Sequence, residues 1–124
     1  MWRVLIADDH EFVRMGLRMM LDGRPEWEVC GEAADGRQAL EKVVELAPDA
    51  VILDLRMPVM NGFEAAAEIR RIAPSTEIVF LSMHDLADIA VRQGADAFVK
   101  KSNAAKELAP TLERVLKRYE VAGA

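Results

Sequence analysis

The chain has 124 residues, 52% hydrophobic and 30% charged, which suits one domain built on a single core. A net charge of −5 and a pI near 5.1 exclude the broad basic surface that nucleic acid or anionic membranes require. The lone cysteine, Cys30, excludes a disulfide framework and reads as a buried inert thiol in a reducing compartment. With no membrane-length apolar run, and acid already at Asp8 near the amino terminus, the chain is expected in the cytoplasm.

Apolar runs alternate with amphipathic ones along the chain. VLIA (4–7) predicts a strand, and the pattern from Glu11 to Leu21 predicts a helix whose Met-rich stretch VRMGLRMML (13–21) packs into the core. EVCGEA (28–33) is a second strand, Gly36 to Ala47 a second helix opened by DGR, and AVILD (50–54) a third strand. A helix from about Gly62 to Ala73 follows the Asn61-Gly62 turn. Then come a strand EIVFLS (77–82), a short helix from about Leu86 to Gln93, a strand AFVK (97–100) and a helix from about Ala104 to Tyr119. Pro110 falls inside that last helix and is expected to kink it or delay its start. Five strands alternating with five helices predict an α/β fold, a doubly wound parallel sheet covered on both faces, and residues 1–124 read as one domain.

In VILDLRMP (51–58) a strand buried on both faces ends on Asp54 and is stopped by Pro58. A carboxylate at the rim of a water-poor core is costly unless something uses it. Ligands of open α/β sheets bind at the carboxyl ends of the strands, and those ends here carry Asp8 and Asp9, Asp54, Ser82, and the pair Lys100 and Lys101. In the flavodoxin-like order 2-1-3-4-5 the first and third strands are neighbours, so Asp9 and Asp54 face one another and repel unless a cation lies between them. An oxygen-only cluster selects Mg²⁺ over zinc. With a lysine and a hydroxyl opposite, it suits a phosphoryl group, which Asp54 can accept by in-line attack.

These motifs, VLIADDH (4–10), GEAADGRQAL (31–40), DLRMPVMNG (54–62), LSMHD (81–85) and GADAFVKKS (94–102), resemble the receiver domain of two-component response regulators. The closest group is the NarL/LuxR type, whose receivers usually precede a helix-turn-helix. The resemblance covers essentially the whole chain and implies a CheY-like fold. It implies Asp54 as phosphoacceptor, Asp9 as a direct Mg²⁺ ligand, Asp8 acting through water, and the Arg56 backbone carbonyl as a further ligand. It also implies Lys101 rather than Lys100 as the reactive lysine, Ser82 and the Met83 backbone amide on the phosphoryl group, and Phe98 as the aromatic whose rotamer follows Ser82. The implied phosphodonor is a sensor histidine kinase or phosphotransfer protein. The implied output is a change in the face of the fourth helix, fifth strand and fifth helix, read by a partner or a DNA-binding domain that regulates transcription. A homodimer is one option among relatives, and the domain itself binds neither DNA nor membrane.

Ser82 to Lys101 spans 19 positions, about three fewer than is usual in the family, so the fourth helix is expected to be short by about one turn. Lys101-Ser102 stands where a Lys-Pro pair is frequent, which removes a reason for a cis peptide. Other readings compete. Asp8 and Asp9 taken alone suit a helix cap, and His10 and His84, isolated and without ligand spacing, read as surface residues. KRYE (117–120) reads as a solvated helix end. A Mg²⁺-dependent aspartyl phosphohydrolase needs an acid two residues past the nucleophile, where this chain has Arg56, and an unphosphorylated interaction module would keep the fold alone.

Overall fold

A computed structural model describes residues 1–123, with side chains described through Lys117. Five parallel strands, β1 (Trp2–Ala7), β2 (Trp27–Ala33), β3 (Ala50–Asp54), β4 (Glu77–Ser82) and β5 (Ala97–Lys100), form one sheet in the order β2-β1-β3-β4-β5. The helices are α1 (Glu11–Leu21), α2 (Gly36–Leu46), α3 (Gly62–Ile72), α4 (Ala87–Arg92) and α5 (Ala104–Gly123), and a single 3-10 turn over 101–103 precedes α5. This is the doubly wound parallel sheet, covered on both faces, that the alternation of elements predicts.

β3 is buried at all five positions and β4 at all six, as central strands covered on both faces must be. Alternate residues feed two cores. Val4, Ile6, Ile52, Val79, Leu81 and Val99 pack under α1 and α5, whereas Leu5, Ala7, Val51, Leu53, Ile78 and Phe80 pack under α2, α3 and α4. Phe80 anchors the second core and meets Phe63 of α3 edge to face at 5.3 Å.

The expected turn chemistry is present. Asp35 caps α2 by accepting the Gln38 amide at 2.8 Å, and Asn61 with Glu64 forms a reciprocal capping box at α3. α4 has only six residues, in keeping with the short spacing from Ser82 to Lys101, and among the described residues all peptide bonds are trans. Arg70 ties the segment after α4 to α3, donating to Asp96 Oδ2 at 2.7 Å and to the Gly94 carbonyl at 3.0 Å.

Four expectations need correction. β1 begins at Trp2, where Trp2 pairs with Trp27 across β2 and the buried Trp27 indole donates to the Leu21 carbonyl. Cys30 is half-buried, and burial pushes its thiol up, so it is inert without being fully enclosed. α5 starts at Ala104, ahead of Pro110, so the proline does not delay it. The Met-rich stretch is not core, because Leu17 and Leu21 are buried while Phe12, Met15, Met19 and Met20 are exposed. Arg118, Tyr119 and Glu120 of KRYE lie outside the described side chains.

Candidate functional site: an acid pocket at the sheet edge

β1 and β3 run side by side in register, Ala7 opposite Leu53, which brings Asp8, just past the end of β1, beside Asp54, the last residue of β3. Asp8 is fully buried there and Asp54 is 4% exposed. Asp8 Oδ1 accepts the His10 amide at 2.9 Å, and Arg14 holds the Asp8 carbonyl at 2.7 Å while pairing with Glu32 at 3.0 Å. The N-cap of α1 is His10, with no side-chain cap hydrogen bond, so the acids do not serve as caps.

Lys101, on the turn after β5, points its ammonium at both buried acids, 2.8 Å from Asp8 Oδ2 and 3.4 Å from Asp54 Oδ1. Lys100, the other member of the pair, is aligned with Ser82 in the sheet. Burial first, and then the neighbouring Asp8 carboxylate, push the Asp54 carboxyl up to about 6 against the opposing pull of Lys101. Burial works against the Lys101 charge, but Asp8 and Asp54 outweigh it and raise its pKa.

Ser82 is buried at the tip of β4, its hydroxyl accepting the His84 amide at 3.2 Å. Met83 follows it with an exposed side chain, and Arg56 sits two past Asp54, its amide 3.4 Å from Asp54 Oδ1. Phe98 is half-buried on the edge strand β5, beside a groove lined by Lys106, Pro110 and Arg114 of α5. Among the described residues, the metal-ligating atoms lying within 4.8 Å of one another belong to Asp8, Asp9 and His10, and Asp54 joins them only through Lys101 and Asp8. The direct neighbour of Asp54 and Lys101 is therefore Asp8 rather than Asp9.

Sequence reasoning set His10 aside as a surface residue. Its side chain is 68% exposed, yet its ring lies 3.0 Å from Asp9 Oδ1 and 3.5 Å from Asp8 Oδ1. The signal available was its place directly after two acids. Three acids balanced by one ammonium leave this edge short of positive charge, and the carboxylate oxygens fit a hard divalent cation.

A five-stranded flavodoxin-like sheet with buried aspartates and a lysine at its carboxyl edge is an arrangement that receiver-type signalling domains share. The response regulator receiver domain profile matches residues 4–113, and the chain belongs to that family. The transcriptional regulatory protein LiaR of Bacillus subtilis is 38% identical over 120 residues, covering 94% of this chain and 57% of LiaR. The response regulator VraR of Staphylococcus epidermidis is 37% identical, covering 95% of this chain and 56% of VraR. The chain thus spans little more than half the length of these curated relatives. The response regulator domain of Thermotoga maritima CheB superposes with a TM-score of 0.85 at 35% identity, covering 94% of this chain and 96% of that one. A LuxR-family two-component response regulator from Aurantimonas sp. superposes with a TM-score of 0.86 at 35% identity, covering 93% and 84%. The chain is accordingly a receiver domain of two-component response regulators, close to the NarL/LuxR group. Such domains bind Mg²⁺ at an acidic pocket, interact with histidine kinases or phosphotransfer proteins, and are mostly not enzymes. Among the described residues no helix is long and apolar enough to cross a membrane.

Proposed function

We propose that Asp54 is the phosphoacceptor of this receiver, and that residues 1–124 act as one switching unit in the cytoplasm. The observation that supports this most directly is the pairing of Lys101 with both Asp54 and Asp8 in a buried edge site. An Asp54 carboxylate oxygen attacks the phosphorus of a phosphohistidine on a sensor kinase or phosphotransfer protein. The P–N bond breaks, the imidazole leaves, and an aspartyl phosphate forms.

Mg²⁺, when bound, supplies neutralisation of phosphoryl and carboxylate charge, with Asp9, Asp54, the Arg56 carbonyl and, through water, Asp8 as its holders. Lys101 moves its charge from the carboxylate pair to the phosphoryl oxygens. The Ser82 hydroxyl, now accepting from the His84 amide, turns to donate to the phosphoryl group, assisted by the Met83 amide, and Phe98 follows it inward. The face of α4, β5 and α5 then changes for a partner, a second copy of the chain, or a DNA-binding output domain of the kind found in LuxR-family regulators. Arg56 stands where a phosphohydrolase needs a general acid, so the chain does not turn over external phosphate esters.

Intact-protein mass after incubation with acetyl phosphate and Mg²⁺ tests the reading. One added phosphoryl group in the wild type, absent in Asp54→Ala and without metal, is expected. A folded, Mg²⁺-binding protein that never gains the group would show that the fold serves binding alone.

A further inference from the structure

We propose that Arg14 is a positioning residue of the acid pocket: clamped to Glu32, its guanidinium holds the Asp8 carbonyl and thereby sets the direction in which Asp9 meets a divalent cation. The inference rests on the reading of this pocket as a Mg²⁺ site, and adds to it a residue that touches neither the cation nor the phosphoryl group.

The clamp begins with an irregularity in β2. Val4 pairs with Val29 and Leu5 with Gly31, so Cys30 is an extra residue, a bulge on the edge strand. Val29 and Glu32 are three apart and would point to opposite faces of a regular strand. Across the bulge they share one face, because Val29 packs against the core under α1 and α5, and Glu32 stands opposite Ile6 of that same core. Gly31 faces the other way, where an added Cβ would lie 2.7 Å from Leu46 of α2. The bulge therefore delivers the Glu32 carboxylate to α1, where Arg14 Nε donates to Oε1 at 3.0 Å and Arg18 donates to Oε2 at 2.8 Å. Burial works against the Glu32 charge, but hydrogen bonds from Arg18 and Arg14 outweigh it and hold its pKa down.

The two arginines then differ. Arg18 is 38% exposed and pairs with Glu32, whereas Arg14 is 16% exposed and carries a second bond, from Nη1 to the Asp8 carbonyl at 2.7 Å. Asp8 is fully buried and its amide is bonded to the Ala33 carbonyl, so its own carbonyl needs a donor, which Arg14 supplies. That carbonyl lies in one rigid plane with the Asp9 amide and Asp9 Cα, so a fixed oxygen fixes where the Asp9 side chain leaves the chain. A planar fork holds carboxylate and carbonyl at once, whereas a lysine ammonium, a single point of charge, does not reproduce that geometry.

Calorimetric titration with MgCl2 tests this in wild type, Arg14→Ala, Arg14→Lys, Glu32→Ala and Arg18→Ala, with urea midpoints measured alongside. The expected result is a Mg²⁺ dissociation constant raised about tenfold in both Arg14 variants and kept within about twofold in Arg18→Ala. Glu32→Ala should weaken binding in the same direction, and adding it to Arg14→Ala should change little further, because the two act as one unit. Phosphoryl uptake from acetyl phosphate should need proportionally more Mg²⁺ in the Arg14 variants and reach the wild-type rate once the metal saturates. In metal-free protein the Asp9 amide nitrogen resonance, which shares the peptide with the Asp8 carbonyl, should shift in Arg14→Lys and stay in place in Arg18→Ala. Should Arg14→Ala not fold, Arg14→Lys against Arg18→Ala decides the matter. Mg²⁺ affinity unchanged in the folded Arg14 variants, or lowered equally in Arg18→Ala, overturns the positioning role and leaves an ion pair that only ties α1 to β2. Full recovery in Arg14→Lys overturns the fork in favour of plain charge. A folded wild type that binds no Mg²⁺ overturns the cation pocket and the proposal with it.

Discussion

The Lys101 ammonium stands closer to Asp8, at 2.8 Å, than to Asp54, at 3.4 Å. The lysine is thus shared, its nearer bond is with Asp8, and Asp54 is left the less compensated of the two. That asymmetry fits a carboxyl whose pKa is pushed up to about 6, first by burial and then by Asp8.

A pH dependence follows. Asp54 binds its proton more tightly folded than unfolded, so the folded state holds more protons between about pH 4 and 6, and this group's contribution to stability falls as pH rises through that window. Above it, the ionised carboxylate costs on the order of 3 kcal/mol in metal-free protein. Asp54→Asn is therefore expected to be more stable than wild type at pH 7.5 with chelator present, with the gap closing toward pH 4. Urea unfolding across that range measures it, and a gap that stayed constant with pH would refute the assignment.

Gly62 opens α3 beneath Asp54, the proposed phosphoacceptor. A Cβ added there would lie 2.3 Å from the Asp54 carbonyl oxygen and 2.8 Å from the Leu55 Cα, contacts that only backbone movement relieves. Gly62→Ala is expected to lose about 2 kcal/mol or more and to slow phosphoryl uptake from acetyl phosphate, because Asp54 must move with its backbone. Uptake at the wild-type rate would show that the loop absorbs the clash without displacing the acid.

Val59, in the loop from β3 to α3, holds φ at 69° with its side chain 75% exposed. A β-branched residue is strained in this left-handed conformation, and nothing is gained by burying it. Val59→Asn should raise the thermal midpoint, equivalent to about 1 kcal/mol, since Asn tolerates that backbone. A lower midpoint would mean that the valine makes an apolar contact worth more than the strain.

Arg70 donates to Asp96 and to the Gly94 carbonyl, fastening the segment between α4 and β5 to α3. Arg70→Ala is expected to destabilise the fold by about 1 to 2 kcal/mol and to quicken amide exchange selectively over residues 87–96. Exchange that quickened evenly across the chain would assign Arg70 to global stability alone.

The order of the elements and the placing of Asp54, Ser82 and Lys101 at strand ends were legible because central strands show as unbroken apolar runs and the polar residues ending them stand out. α1 was harder. Leu17 and Leu21 form one stripe, but Phe12, Met15 and Met19 form another at the same helical spacing, and periodicity cannot say which faces the sheet. The approach of His10 to Asp8 and Asp9 depends on how the backbone bends after β1, with Asp8 accepting the His10 amide, and no residue pattern encodes that bend. The preference of Lys101 for Asp8 was equally hidden, since strand order shows which acids are neighbours and not which one the ammonium favours.

The pairing of Trp2 with Trp27 has a practical side. Both indoles sit at the amino-terminal foot of β1 and β2, about 20 Å along the strand from Asp8, and Trp27 is wedged beneath α1 with its N–H on the Leu21 carbonyl. The intrinsic emission of this chain is therefore a gauge of whether the domain is folded and is blind to events at the opposite rim. A dye or fluorine label placed near Met83 would be needed to see by light what the native chromophores cannot.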